Sequence, residues 1–219
     1  MKYGKALRLA RSFFFLGETM SDIIQAAKTF SNLLDIEYQI ILGKKNKSFS
    51  LNIIFENWQF FHLAGLQYLK DLTGVLSESR KRIFRRILNG SLKAQLFESS
   101  QYYSTIKNRI EYLVYLEQIM DSNETIFKYN QKLQAFSAIQ ADFLMKNELK
   151  LRNVFTFLSK DSKNGKYFCR SFFPQIEKDY SIGQTNLTLL HKKKINKSSN
   201  TEIVLYDRLN SVFSSNFFQ

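Results

Sequence analysis

The stretch IEYQIILGKKNKSFSLNIIF, residues 36–55, holds two runs in which every second residue is apolar: Ile36, Tyr38, Ile40 and Leu42, then Phe49, Leu51, Ile53 and Phe55. A period of two puts those side chains on one face of a strand, and the basic break GKKNK between the runs predicts a β-hairpin. Upstream the period changes. Ser21 has the chemistry of a helix N-cap, and Ile23, Ala26, Ala27, Phe30, Leu33 and Leu34 recur at helical spacing. Residues 1–20 read as an N-terminal extension: their leader is basic, but the apolar run Phe13 to Leu16 is shorter than the ~7 to 15 residues of a signal-peptide core.

Downstream, FENWQFFHLAGLQYLKDL (55–72) reads as helical, with Gly65 marking a kink or a close packing point. Residues 77–121 keep the helical period, punctuated by Asn89-Gly90 as a helix stop and by Ser99-Ser100 as a new cap. The last helix, carrying Ile106, Ile110, Leu113, Val114, Glu117 and Met120, is predicted to be long. After Asn123 the pattern shifts to six short β-type runs, TIFKY, AIQADFLM, NVFTFLS, KYFCRSFF, NLTLLHK and TEIVLYD, parted by polar turns. The expected fold is therefore α+β: a helical N-terminal half packed on an antiparallel sheet of about four strands, plus the first helix and the hairpin. Residues 21–207 form one domain on this reading, and 208–219 a polar, Phe-tipped tail.

With 219 residues, 44% of them hydrophobic, the chain can bury a sizeable core. One cysteine excludes an intramolecular disulfide, and two histidines cannot supply the usual zinc cluster, so neither metal nor cofactor is expected and a cytoplasmic setting fits. A net charge of +13 favours polyanions, and no apolar run approaches the roughly 20 residues that cross a bilayer. Charge alone does not choose among RNA, DNA and an anionic membrane surface; the expected partner is nucleic acid, RNA rather than DNA, and a membrane is not expected.

No phosphate-cradling glycine loop, Gly-x-Ser-x-Gly elbow or His-Glu-x-x-His is present, and Cys169 lies in an apolar strand where a buried thiol is structural. Metal-free RNA cleavage needs only a base for the 2′-hydroxyl, an acid for the leaving 5′-oxygen and cations on the phosphate. His62 and His191 have the titration range for proton transfer, and Arg170, beside Ser171 in an apolar strand, either pairs with a carboxylate or waits for an anion. DYSIGQTNLTLLHKKK adds Tyr180, Gln184 and Thr188, followed by Lys192 and Lys193. Strict alternation separates Thr188 from His191 unless a bulge intervenes. His62, between Phe61 and Leu63, reads by itself as a core or helix-cap histidine before a catalytic one, and the cations Arg82, Arg85 and Arg86 as a solvated helix face or a nucleic-acid track. Asp142 with Glu148 and Lys150 forms a weaker metal-nuclease echo.

Several ordered blocks, FHLAGLQYLKD (61–71), RIFRRILNG (82–90), SSQYYSTIKNRIEYL (99–113), IFKYN (126–130), YFCRSFFP (167–174) and DYSIGQTNLTLLHKKKINK (179–197), resemble a phage- and mobile-element-associated family classed with the barnase, EndoU, colicin-RNase and RelE-like nucleases. The resemblance implies an RNase-like core and a metal-independent endoribonuclease, with His62, Arg170, Tyr180 and Thr188 catalytic and Ser171, Gln184, Arg82, Arg85, Arg86, Lys192 and Lys193 on the nucleic acid. It also admits a non-catalytic phage protein that uses the same basic fold to occlude a host nucleic-acid-binding or defence complex. A host protein target or a separately encoded antitoxin is the protein partner it implies.

Overall fold

A computed structural model describes residues 22–210 except 124 and 136; the Ser21 cap, the 1–20 extension and residues 211–219 of the tail lie outside them. The first helix is α1 (Asp22–Asn32), which buries Ile23, Ala26, Ala27 and Phe30 at i, i+3, i+4 and i+7. The hairpin follows as β1 (Ile36–Lys44) and β2 (Lys47–Ile54), turning at Lys45 with a left-handed φ of 51°. Next come the helices α2 (Gln59–Leu63), α3 (Thr73–Leu76), α4 (Arg80–Leu88), α5 (Ala94–Glu98), α6 (Ser104–Leu113) and α7 (Leu116–Asp121). Six strands complete the described chain: β3 (Thr125–Lys128), β4 (Phe143–Leu149), β5 (Arg152–Lys160), β6 (Tyr167–Pro174), β7 (Thr185–Asn196) and, outside the closed ring, β8 (Thr201–Asp207).

All six β-type runs form strands, but they do not make the expected sheet. The strands run in the order β1-β2-β6-β5-β4-β3-β7, and β7 pairs back onto β1, so seven strands close into a barrel with β8 added on β7. Most pairings are antiparallel, while β2 meets β6 in parallel through Ile53 and Tyr167, which makes the barrel mixed. The expectation of about four antiparallel strands beside a helical half, with the hairpin as an appendage, is thus overturned: the hairpin is the segment that closes the ring. Its inward residues Tyr38, Ile40, Leu42, Leu51 and Ile53 are each 0–1% exposed, so they need partners on both sides of the hairpin. A period-two pattern reports that burial but not which distant strand supplies it.

One continuous core joins the barrel interior to α1, α2, α4, α6 and α7. A smaller apolar cluster of Tyr129, Leu144, Phe155 and Phe157 lies on the other face of the β3-β4-β5 strip, with Phe173 and Tyr180 packed against it. The helix predicted to be long is broken at Val114 and Tyr115 into α6 and α7. The break lets the end of α7 meet the barrel: Asn147 donates to the Ile119 carbonyl and to Ser122, and Tyr38 donates to Asp121 at 2.6 Å. No described helix is long and apolar enough to cross a membrane.

Two lysines of β7 also point inward. Lys194 reaches Glu117 at 2.8 Å and Asp121 at 2.9 Å, while Lys192, 1% exposed, donates to the Ser122 carbonyl. Burial pushes the Lys192 ammonium down to about 8, with Asp121 opposing the shift and Lys194 adding to it. Below that value the folded protein bears the cost of a charged buried amine. As pH rises toward the ordinary lysine value of 10.5, the folded amine has already lost its proton while the unfolded one still holds it, and the cost disappears. The advantage of Lys192→Met over the wild type in urea unfolding should therefore shrink, or its deficit grow, by about 2 kcal/mol between pH 7 and 10. An offset that is constant with pH would contradict this.

Candidate active site

Helix α2 ends where Gly65 takes a left-handed φ of 79°, a conformation that costs glycine least. The same glycine is a close packing point. A Cβ there would sit 2.9 Å from Ile106 and 3.0 Å from Cδ of Arg109. Ile106, Ile110 and Leu113 form the buried stripe of α6, and Arg109, three residues past Ile106 and four before Leu113, falls on its margin. Its guanidinium lies 5.4 Å from the Tyr68 ring and 5.3 Å from the Phe173 ring, with a 3.5 Å hydrogen bond to the His62 carbonyl. No carboxylate of the described residues pairs with it. Burial lowers its proton affinity, and the phenols of Tyr68 and Tyr180 are the groups that counter this.

Around this guanidinium opens a cavity of about 450 Å³ lined by Tyr68, Asn108, Ser171, Phe173, Lys178 and Tyr180 among others. That volume lies in the range of small-ligand sites. Tyr180 is fixed from below by the rings of Phe155, Phe157 and Phe173 at 5.4–5.6 Å. The loop carrying it is pinned by its own hydrogen bonds: Gln134 donates to the Tyr180 and Ile182 carbonyls, and Asp179 accepts from Lys146 at 2.7 Å and from Ser181. Gln184 closes the loop by bonding both the N–H and the carbonyl of Asn130. Burial raises the Tyr180 phenol, so it keeps its proton at neutral pH.

His62 is half-buried on α2, with its ring 5.5 Å from that of Phe61. Its pKa is lowered, by burial first and then by the charges of Arg80 and Arg170. Arg170 is the extra residue of a bulge: Phe157 pairs with Ser171 and Leu158 with Cys169, leaving Arg170 out of register and exposed. So β6 offers Arg170 to the imidazole and Ser171 to the cavity next door. Ser171 and Tyr180 thus line the Arg109 cavity, while His62 and Arg170 lie near each other beside it, His62 tied to Arg109 through its carbonyl and neither side chain lining the cavity.

Others are placed elsewhere. Thr188 lines a separate depression with Asn123 and Tyr206, on β7, three strands round the ring from β6. A second bulge, where Ile41 pairs with His191 but Leu42 with Leu189, returns Thr188 and His191 to one face, yet that face is remote from His62. Lys192 is inside the barrel, and Lys193 is bonded to Glu202 at 2.9 Å. Arg82 and Arg86 both pair with Glu78, while Arg85 is exposed on α4. Cys169 is buried, its thiol pushed up to about 12 by burial. Asp142 and Glu148 sit six residues apart at opposite ends of β4, roughly 20 Å by strand rise, and Lys150 lies over the Tyr115 ring. Among the described residues no three metal-ligating side chains gather.

Arg109, Tyr68 and Asn108 were missed in the sequence. The available signal was an arginine on the apolar stripe of a helix, where a guanidinium is costly without a partner.

A family model described as phage-Barnase-EndoU-ColicinE5/D-RelE like nuclease4 matches residues 22–209, the family that the sequence blocks resemble. The match spans almost all of the described chain, and the protein belongs to this nuclease-like family. No curated protein and no solved structure matches it.

Two measurements check this geometry. The His62 imidazole should titrate below its ordinary value in proton NMR, and Arg170→Ala should raise its midpoint, because removing a nearby cation favours the imidazolium; an unchanged midpoint would place Arg170 out of range. Gly65→Ala should cost about 2 kcal/mol in urea unfolding, from the left-handed backbone and the contact with Ile106, and should perturb the Arg109 resonances.

Proposed function

We propose that this member of the nuclease-like family cleaves single-stranded RNA without a metal, at the junction of α2, α6 and β6. The observation that carries the reading is Arg109: a largely buried guanidinium, ion-paired to no described carboxylate, facing with Tyr68 and Tyr180 a nucleotide-sized cavity whose wall also holds Lys178 and Glu177. A cation kept that way favours an anion that arrives and leaves, and a phosphodiester has the charge and the planar pair of oxygens that a guanidinium binds.

The proton transfers are assigned by the direction in which each group is shifted. His62, held below its ordinary value by burial, Arg80 and Arg170, is neutral near pH 7 and accepts the proton of the 2′-hydroxyl. The 2′-oxygen then bonds to phosphorus and the bond to the 5′-oxygen breaks. Tyr180, still protonated, donates to that leaving oxygen, giving a 2′,3′-cyclic phosphate and a 5′-hydroxyl. Arg109 and Tyr68 hold the phosphate oxygens as charge builds on them, and Arg170 holds the neighbouring phosphate. Ser171 contributes a hydroxyl to the wall of the cavity. Thr188 and Lys192 take no part.

A second reading, a non-catalytic binder of a host nucleic acid or its complex, is favoured by one observation: the two histidines are on opposite sides of the barrel, so the site has a single imidazole. Incubation of the full chain with single-stranded RNA in EDTA separates the two. The catalytic reading expects products with cyclic phosphate ends, inert DNA of the same sequence, and a loss of about 10²- to 10⁴-fold in Arg109→Ala and His62→Ala with unchanged circular dichroism. The acid limb of the rate profile should fall below the ordinary histidine value and move upward in Arg170→Ala. Salt-sensitive RNA binding with no cleavage of any RNA would overturn catalysis and leave the binder.

A further inference from the structure

Beside the Arg109 cavity lies a second groove of about 520 Å³, lined by Asn108, Leu151, Arg152, Asn153, Gln175 and Ile176. The two share Asn108 and Ile176 as a common wall, so they are neighbouring compartments of one furrow. The floor of the second is set by an amide pair, Asn153 donating to Gln175 at 2.8 Å, with the Gln175 N–H bonded to the Asn153 carbonyl at 2.7 Å. Arg152 stands over it, and no described carboxylate pairs with this guanidinium.

The turn that presents Arg152 is unusual. Lys150 and Leu151 connect β4 to β5 with φ of 50° and 62°, left-handed at both central positions of a two-residue hairpin, where Asn-Gly is the ordinary solution. Neither side chain favours that backbone. The result is that Leu151, 93% exposed, lines the groove together with Ile176, 80% exposed. Two aliphatic side chains in water in one groove with an arginine that no carboxylate pairs match a ligand that has an apolar flat face and an anionic link. A base with its phosphate has both, provided the base is not already stacked in a duplex.

We infer that this groove is a second nucleotide subsite, so that the substrate is an unpaired RNA segment occupying the Arg109 cavity and the Arg152 groove with consecutive nucleotides. This rests on the reading of the Arg109 cavity given above, and it adds what that reading lacks: the strand direction out of the site and the requirement for an unpaired neighbour. Asn108, common to both compartments, lies where the linking phosphate and sugar pass.

The test uses the full chain and fluorescently labelled 2′-O-methyl RNA, which cannot be cleaved, as a mononucleotide 3′-phosphate, a dinucleotide and a blunt-ended two-strand duplex. The dinucleotide is expected to bind about tenfold more tightly than the mononucleotide, and the duplex no better than the mononucleotide. Arg152→Ala and Leu151→Asn should each remove that gain and leave mononucleotide binding unchanged; asparagine keeps the left-handed turn while removing the aliphatic face. Equal binding of mononucleotide and dinucleotide, or a gain that survives both variants, would overturn the subsite while Arg109→Ala still abolishes mononucleotide binding. If the wild type binds none of the three probes, both the subsite and the reading of the Arg109 cavity fall.

Discussion

Strand β7 is hydrogen-bonded along both of its edges, and the rest of the molecule is arranged by that constraint. Its first residues pair with β3, its later ones with β1 on one side and β8 on the other. A strand so enclosed has one side chain in two pointing into the barrel, and in β7 two of those are Lys192 and Lys194. Buried ammonium groups require acceptors, which α7 provides through Glu117, Asp121 and the Ser122 carbonyl. The polar contact thus fixes α7 against the barrel mouth. Since α7 follows α6 after only two residues, it also fixes the helix that bears Arg109. A lysine pattern on one strand sets the position of an arginine two elements away.

The local elements were legible in the sequence because each is decided by its own period. The hairpin at 36–55, the stop at Gly90 and the six later strands all follow from side-chain alternation or from a glycine, and all occur. What was not legible is pairing across distance. Glu37 lies opposite Ile195, and nothing local to either residue announces the other. The closed ring, the bulge that expels Arg170 and the bulge at Leu190 that brings Thr188 and His191 to one face depend on register between strands far apart in the chain. Gly43 illustrates the gap. It reads as part of a turn, yet a Cβ there would come within 2.9 Å of Leu190, so it also makes room for the bulge that lets β7 close on β1.

The charges follow a similar rule. Runs of cations attracted attention as a nucleic-acid track, but Arg82 and Arg86 are occupied by Glu78, Lys193 by Glu202, and Lys192 is sealed in the interior. A run of basic residues on a solvated face brings its own carboxylates by simple helix or strand spacing. Among the described residues three isolated arginines also lie without an ion pair: Arg109 on the margin of the α6 stripe, Arg170 in a bulge of β6 and Arg152 beside a left-handed turn. In this chain the lone arginines, rather than the clusters, are the ones on which the proposed anion sites rest.

The surroundings of His62 carry the proposed chemistry one step further. Two cations beside an imidazole weaken it as a base, which by itself is a poor design for removing a proton from a hydroxyl. The field changes when a phosphodiester enters, because its negative charge offsets Arg80 and Arg170 and restores the proton affinity of the ring. In the free protein burial, Arg80 and Arg170 hold the imidazole below its ordinary value, and on the proposed reading a bound phosphodiester would return part of that basicity beside the 2′-hydroxyl. Arg109, bonded to the His62 carbonyl while lining the cavity, ties the end of α2 to the proposed phosphate site. On the proposed reading the substrate itself would switch on the imidazole, so that the first proton transfer needs no second histidine.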